Sequence, residues 1–179
     1  MGQLLPDCMP PKQLPEGVSD ELRHHVDLHL TIDRLTDSHP AVQALRRSLP
    51  PPYRRFGGVI LDVFFDHCLA RNWSQWSAQP LPEFAEGVYT ALAAYNGPEN
   101  ERLKMLRTAL VQRRWLPGYA TREGMARALE SLDRRSRFRT PLAEAPVLLD
   151  SHGHQVDQVF ADLFPALRAA VNSQTRGTY

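Results

Sequence analysis

Cysteine, lysine, long apolar runs and net charge are all scarce in this sequence, and each scarcity removes a class of protein. Its two cysteines, Cys8 and Cys68, show no C-x-x-C or zinc-type spacing, so neither a disulfide framework nor a structural zinc is indicated. No run of about 18 apolar residues exists, and the chain does not open on a charged region followed by an apolar stretch. The expectation is therefore a soluble, cytoplasmic protein with neither membrane span nor signal peptide. Lys and Arg number 21 against 20 for Asp and Glu, and no basic run dominates a segment, so nucleic acid is not an expected partner. Gly-rich phosphate loop, GxSxG elbow, HExxH pair and Cys-His nucleophile are also missing, which leaves covalent catalysis without a candidate.

What is present is a chain of 179 residues, 42% hydrophobic, enough for one domain with its own core. Residues 1–18 contain Pro6, Pro10, Pro11, Pro15 and Gly17 and read as an irregular arm. From Ser19, a candidate N-cap, Leu22, Val26, Leu28, Ile32 and Leu35 recur near helical period as far as Asp37. Pro40 suits the first turn of a second, short helix that Pro50-Pro51-Pro52 stops. Tyr53 to Trp76 reads as one long helix, apolar all round and central to the core, with Gly57 and Gly58 marking a late start or a bend. Helical blocks follow at Leu81–Tyr95, Glu99–Gln112, Thr121–Arg137 and Asp150–Asn172, with residues 173–179 frayed. Neither strand alternation nor an internal repeat is visible. The prediction is all-α, a single-domain helical bundle over 1–179.

Two ladders carry the chemistry: His25, His29, Asp33 and Asp37 at steps of four, then Asp62, Asp66 and His67. Side chains four apart on a helix lie about 6 Å apart on one face, so His29 with Asp33, and Asp62 with Asp66, can share a ligand. Brought together, such donors suit a divalent ion, manganese or magnesium before zinc, whose bound water would be acidified. Asp62 and Asp66 sit in the most apolar segment, where ionised carboxylates are costly unless paired or metal-bound. Plainer explanations compete elsewhere. Asp37 lies at a helix junction and suits capping as well as function. His24, His25, His152 and His154 read as surface residues, His152 and His154 with the alternative of a cleft mouth, and Trp73 reads as core. Arginine is the main cation, since Lys12 and Lys104 are the only lysines, and pairs such as Arg54-Arg55 permit an acidic or phosphorylated partner. Solvated helix faces written in arginine codons explain the same pairs.

The stretch LHLTIDRLTDSHP, followed by LDVFFDHCLARNW, resembles the acyl carrier protein phosphodiesterase family, whose patterns run close to LHRxIDxFTDxHP and LDVxxDHxLxxxW. Trp115 in RRWLPGY and Phe164-Pro165 are weaker landmarks of the same kind. The resemblance implies an HD-domain-like helical phosphohydrolase that uses a divalent ion, typically manganese, with magnesium as the alternative. It would remove the 4'-phosphopantetheine arm from holo acyl carrier protein, an acidic protein substrate, by attack of water on phosphorus. By motif it implies metal ligands His29, Asp33, Asp62, Asp66 and Asp7, the last matching the family's GDF aspartate, and catalytic roles for His67, Asp66 and Asp37. The chain departs from the pattern at Pro6-Asp7-Cys8 and at Leu30, where an arginine is usual, and it is expected to lack an opening segment like NFLAHLHL. Two alternatives stay open: a non-catalytic relative that binds carrier protein, and an HD-type small nucleotide phosphohydrolase. Oligomeric state is not readable.

Overall fold

The computed structural model describes residues 20–97 and 99–176, and among them there are helices and turns but no strand. The order is α1 (Asp20–Ser38), α2 (Pro40–Ser48), α3 (Gly57–Arg71), α4 (Leu81–Ala94), α5 (Glu101–Arg113), α6 (Arg122–Arg135) and α7 (Leu148–Arg176). Four tight 3-10 turns join them, at Tyr53–Phe56, Trp73–Gln75, Leu116–Ala120 and Leu142–Val147. The expected all-α bundle is what forms. The predicted arm at 1–18 lies outside the described residues, and α7 continues through Arg176, so the stretch expected to fray is helical as far as that residue.

Local chemistry fixes the boundaries. Pro40 enters the first turn of α2, Val42, Leu45 and Leu49 fall on one face, and Arg46 and Arg47 oppose the negative end of the helix dipole. Asn100 caps α5 by accepting from the Leu103 amide at 2.8 Å, and Thr121 caps α6 by accepting from the Gly124 amide at 3.1 Å. The segment expected to be one helix from Tyr53 to Trp76 is three pieces: a 3-10 turn, α3, and a second 3-10 turn. An all-apolar stretch has no periodicity with which to mark its own ends, and α3 begins at Gly57, where a β-carbon would press on the stem of Arg46.

α3 is the axis of the bundle. Ile60, Leu61, Val63, Phe64, Phe65 and Cys68 are buried against Val42 and Leu45 of α2, Met125 and Leu129 of α6, and Val156, Phe160 and Leu163 of α7. α1 lies across α7 and α2. Trp76 rather than Trp73 packs on this core, against Phe160 and Phe164. Trp73 sits to one side, its ring tilted against Phe84 with centroids 4.8 Å apart and its indole N–H donating to the Gln79 carbonyl.

Candidate active site

One stripe of α3 escapes burial. Val59, Asp62 and Asp66, at steps of three and four, keep open surface while the neighbouring positions of the helix are covered. The two acids are therefore not sealed in the core, as expected from the apolar run, but stand side by side at its one open edge. Asp66 is nevertheless crowded: protein surrounds its carboxyl on the sides away from solvent. That desolvation, and secondarily the charge of Asp62, raises its pKa from an ordinary 3.8 to about 7. Asp66 thus exchanges a proton near neutrality.

Tyr119, from the Leu116–Ala120 turn, faces the same carboxylate. Burial and then the Asp66 charge push its phenol up to about 12, with Arg135 opposing. The backbone of Tyr119 also holds His67, whose Nδ1 lies 2.6 Å from the Tyr119 carbonyl oxygen. The carbonyl can only accept, so Nδ1 carries a proton and donates it to this bond. His67 is 5% exposed, and it borders a pocket beside the Leu116–Ala120 turn. That pocket, of about 440 Å³, is lined also by Cys68, Arg71, Ala120, Arg122 and Asp157. Arg71 pairs with Asp157 at 2.5 Å and Arg122 with Asp150 at 2.7 Å. The Cys68 thiol donates to Asp157 at 3.3 Å. Burial, then that bond and the Asp157 charge, holds the thiol up at about 12, so it is not a nucleophile.

The first ladder is elsewhere. His29 Nε2 and Asp33 pair at 3.0 Å on α1, with Asp33 more than half exposed. Among the described residues no three His, Cys, Asp or Glu side chains come together as a metal-holding group, so the two ladders stand as separate pairs and do not converge as expected. Two adjacent carboxylates that repel one another are the donor chemistry a hard divalent cation relieves, so Asp62 and Asp66 fit such an ion as two of its ligands. Asp7 lies outside the described residues. Asp37 is exposed, and its junction explanation is not realised either: the N-cap of α2 is His39, with no side-chain cap bond, and Asp37 contributes only its carbonyl, which accepts from Gln43 at 3.1 Å. His24, His25 and His152 are half-buried rather than surface residues, with the rings of His24 and His25 6.1 Å apart, and His154 is exposed as expected. Of the residues not anticipated, Arg71 had a signal, because it is four residues beyond His67 on the same face. Tyr119, Arg122 and Asp157 come from distant segments and had none.

The sequence profile of the acyl carrier protein phosphodiesterase family matches residues 1–167. The chain belongs to that family. Its relatives include the acyl carrier protein phosphodiesterase of Pectobacterium atrosepticum, 29% identical over 97% of this chain and 90% of the relative. Those of Enterobacter sp. strain 638 and Yersinia enterocolitica are 30% and 29% identical, each over 93% of this chain and 86% of the relative. No solved structure matches the chain. Asp62 and Asp66 lie within the residues that the family profile matches. Among the described residues no helix is long and apolar enough to cross a membrane.

Proposed function

We propose that this chain hydrolyses the phosphodiester that joins the 4'-phosphopantetheine arm to holo acyl carrier protein, with Asp62 and Asp66 at the reacting centre. The observation that carries the reading is the exposed acid pair on α3, with one member titrating near 7, in a chain of the phosphodiesterase family. Near neutrality Asp66 has a basic fraction able to take a proton from the attacking water and an acidic fraction able to return one to the leaving serine oxygen. Burial first, and the charge of Asp62 second, keep that pKa high. Tyr119, uncharged across the working range, closes one side of the acid pair and positions His67 through its carbonyl. His67 would then assist proton transfer or ligation through Nε2. A divalent ion, manganese or magnesium, would be held by Asp62 and Asp66 and would supply charge neutralisation at phosphorus and a more acidic water.

Purified chain incubated with holo carrier protein and manganese should convert it to the apo form, read as loss of the arm by intact mass. Asp66→Asn should lower the rate by ~100-fold or more while leaving the circular dichroism spectrum unchanged. If holo carrier protein keeps its arm while the Pectobacterium relative removes it in parallel, the reading fails.

A further inference from the structure

The Tyr53–Phe56 turn and the strand-free stretch Arg139–Glu144 border a second groove, of about 780 Å³, outside the acid pair and the His67 cavity. Three exposed arginines line it, Arg54, Arg55 and Arg139, against one acid, Glu144. Elsewhere in the fold Arg71, Arg107, Arg114, Arg122 and Arg134 each pair with a carboxylate. None of the three groove arginines has an ion-pair partner among the described residues. Arg54 donates Nε to the Leu49 carbonyl at 2.9 Å, which fixes its stem, and Arg55 lies over the Phe56 ring at 5.9 Å. Beside Arg139, Phe138 is 81% exposed and is flanked on its other side by exposed Arg137. In a molecule whose formal net charge is only +1, the groove thus carries a local excess of positive charge, with an exposed aromatic next to Arg139 in the chain.

We infer that this groove is the docking surface for an acidic protein face, that of the carrier protein in the reaction proposed above, on which the choice of partner rests. Uncommitted guanidinium groups recognise carboxylates through paired N–H donors, and an exposed aromatic beside charged residues is the composition of a protein interface. The place also fits. The Tyr53–Phe56 turn leads directly into α3, so at 1.5 Å per residue Asp62 and Asp66 follow Gly57 by about 8 Å and about 14 Å along the axis. A partner held by Arg54, Arg55 and Arg139 is therefore seated at the near end of the helix that bears the acid pair. Arginine contacts of this kind steer association and weaken with added salt.

The test uses apo carrier protein, which has no arm, so binding is read without catalysis. Calorimetric titration at low and high salt should show wild-type binding that weakens as salt rises. Arg55→Glu combined with Arg139→Glu should lose at least ~10-fold in affinity. The milder pair Arg55→Gln and Arg139→Gln should fall between, and Arg127→Glu, an exposed arginine on α6, should stay within about two-fold. Equal affinity of wild type and the double charge reversal, equal loss in the Arg127 control, no wild-type binding, or tighter binding to an RNA oligonucleotide than to carrier protein would each overturn the inference. Salt-sensitive binding lost with the groove arginines but no arm removal would keep the docking surface and reject the reaction. Arm removal with KM unchanged in the double variant would do the reverse.

Discussion

At the scale of single residues, Asp66 is the group whose behaviour departs furthest from its free chemistry. Its folded pKa of about 7 lies above the ordinary 3.8, so the fold favours the protonated form more than the unfolded chain does. That contribution is fully present below pH ~4 and is lost as pH rises through 7, where the carboxylate must ionise in a crowded place beside Asp62. Asp66→Asn, which cannot ionise, should therefore melt above wild type at pH 8, with the gap closing as the pH falls towards 4. Manganese or magnesium should raise the melting temperature of wild type at pH 8 and leave the Asn variant unmoved, since an ion bound only by the native state stabilises it. Parallel pH profiles for the two proteins would reject the perturbed carboxyl. His67 makes the complementary case. Its Nδ1 proton goes to the Tyr119 carbonyl at 2.6 Å, so His67→Ala leaves a backbone acceptor unsatisfied and should cost about 1–3 kcal/mol in denaturant unfolding.

At the scale of elements, α6 and the Leu116–Ala120 turn show why the site has its shape. A β-carbon on Gly124 would collide with the backbone carbonyl of Gly118, so the first turn of α6 can lie under Tyr119 only because residue 124 has no side chain. Gly124→Ala should destabilise by about 1–3 kcal/mol, although alanine is the better helix former, and should reduce activity by displacing Tyr119 and with it His67. A neutral or stabilising result by chemical denaturation would refute that close approach. The same elements show what a sequence can and cannot declare. α1, α2, α4 and α6 were legible because apolar spacing, prolines and capping residues agree at their boundaries. The Tyr53–Trp76 run was not, since a uniformly apolar segment hides both its ends and its one exposed stripe. The start of α7 at Leu148 was obscured by Pro141 and Pro146 upstream. Asp62 with Asp66, and His29 with Asp33, were readable as pairs because spacing on one helix is local. Whether the pairs meet depends on how α1 packs, and α1 lies on α7 and α2. The bond that positions His67 ends on a backbone carbonyl from another element, which no side-chain pattern encodes.

At the scale of the whole molecule, the buried apolar side chains of α4 and α5 stand apart from the main hydrophobic cluster. The main cluster draws on α2, α3, α6, the Leu142–Val147 turn and α7, whereas no residue of α4 or α5 belongs to it. Those two helices bury Ala85, Tyr89, Leu92, Leu103 and Leu110 chiefly against each other. Arg107 laces them by donating to both Glu99 oxygens and to the Leu92 carbonyl. Their attachment to the rest is slender. The Tyr89 hydroxyl accepts from the Leu116 amide at 2.8 Å, while Arg114, in a left-handed backbone conformation, lies 4.7 Å from the Tyr89 ring and pairs with Glu86. A helical pair held mainly to itself opens at lower free energy than a central helix packed on several neighbours. Native-state hydrogen exchange should therefore show the amides of α4 and α5 exchanging through a sub-global opening while those of α3 wait for global unfolding. Tyr89→Phe removes the acceptor for the Leu116 amide, so it should lower the opening free energy of α4 and α5 by about 1 kcal/mol and leave the difference between the two sets wider. If α4, α5 and α3 exchange with one common free energy in both proteins, the molecule unfolds as a single unit and the independent opening of α4 and α5 is wrong.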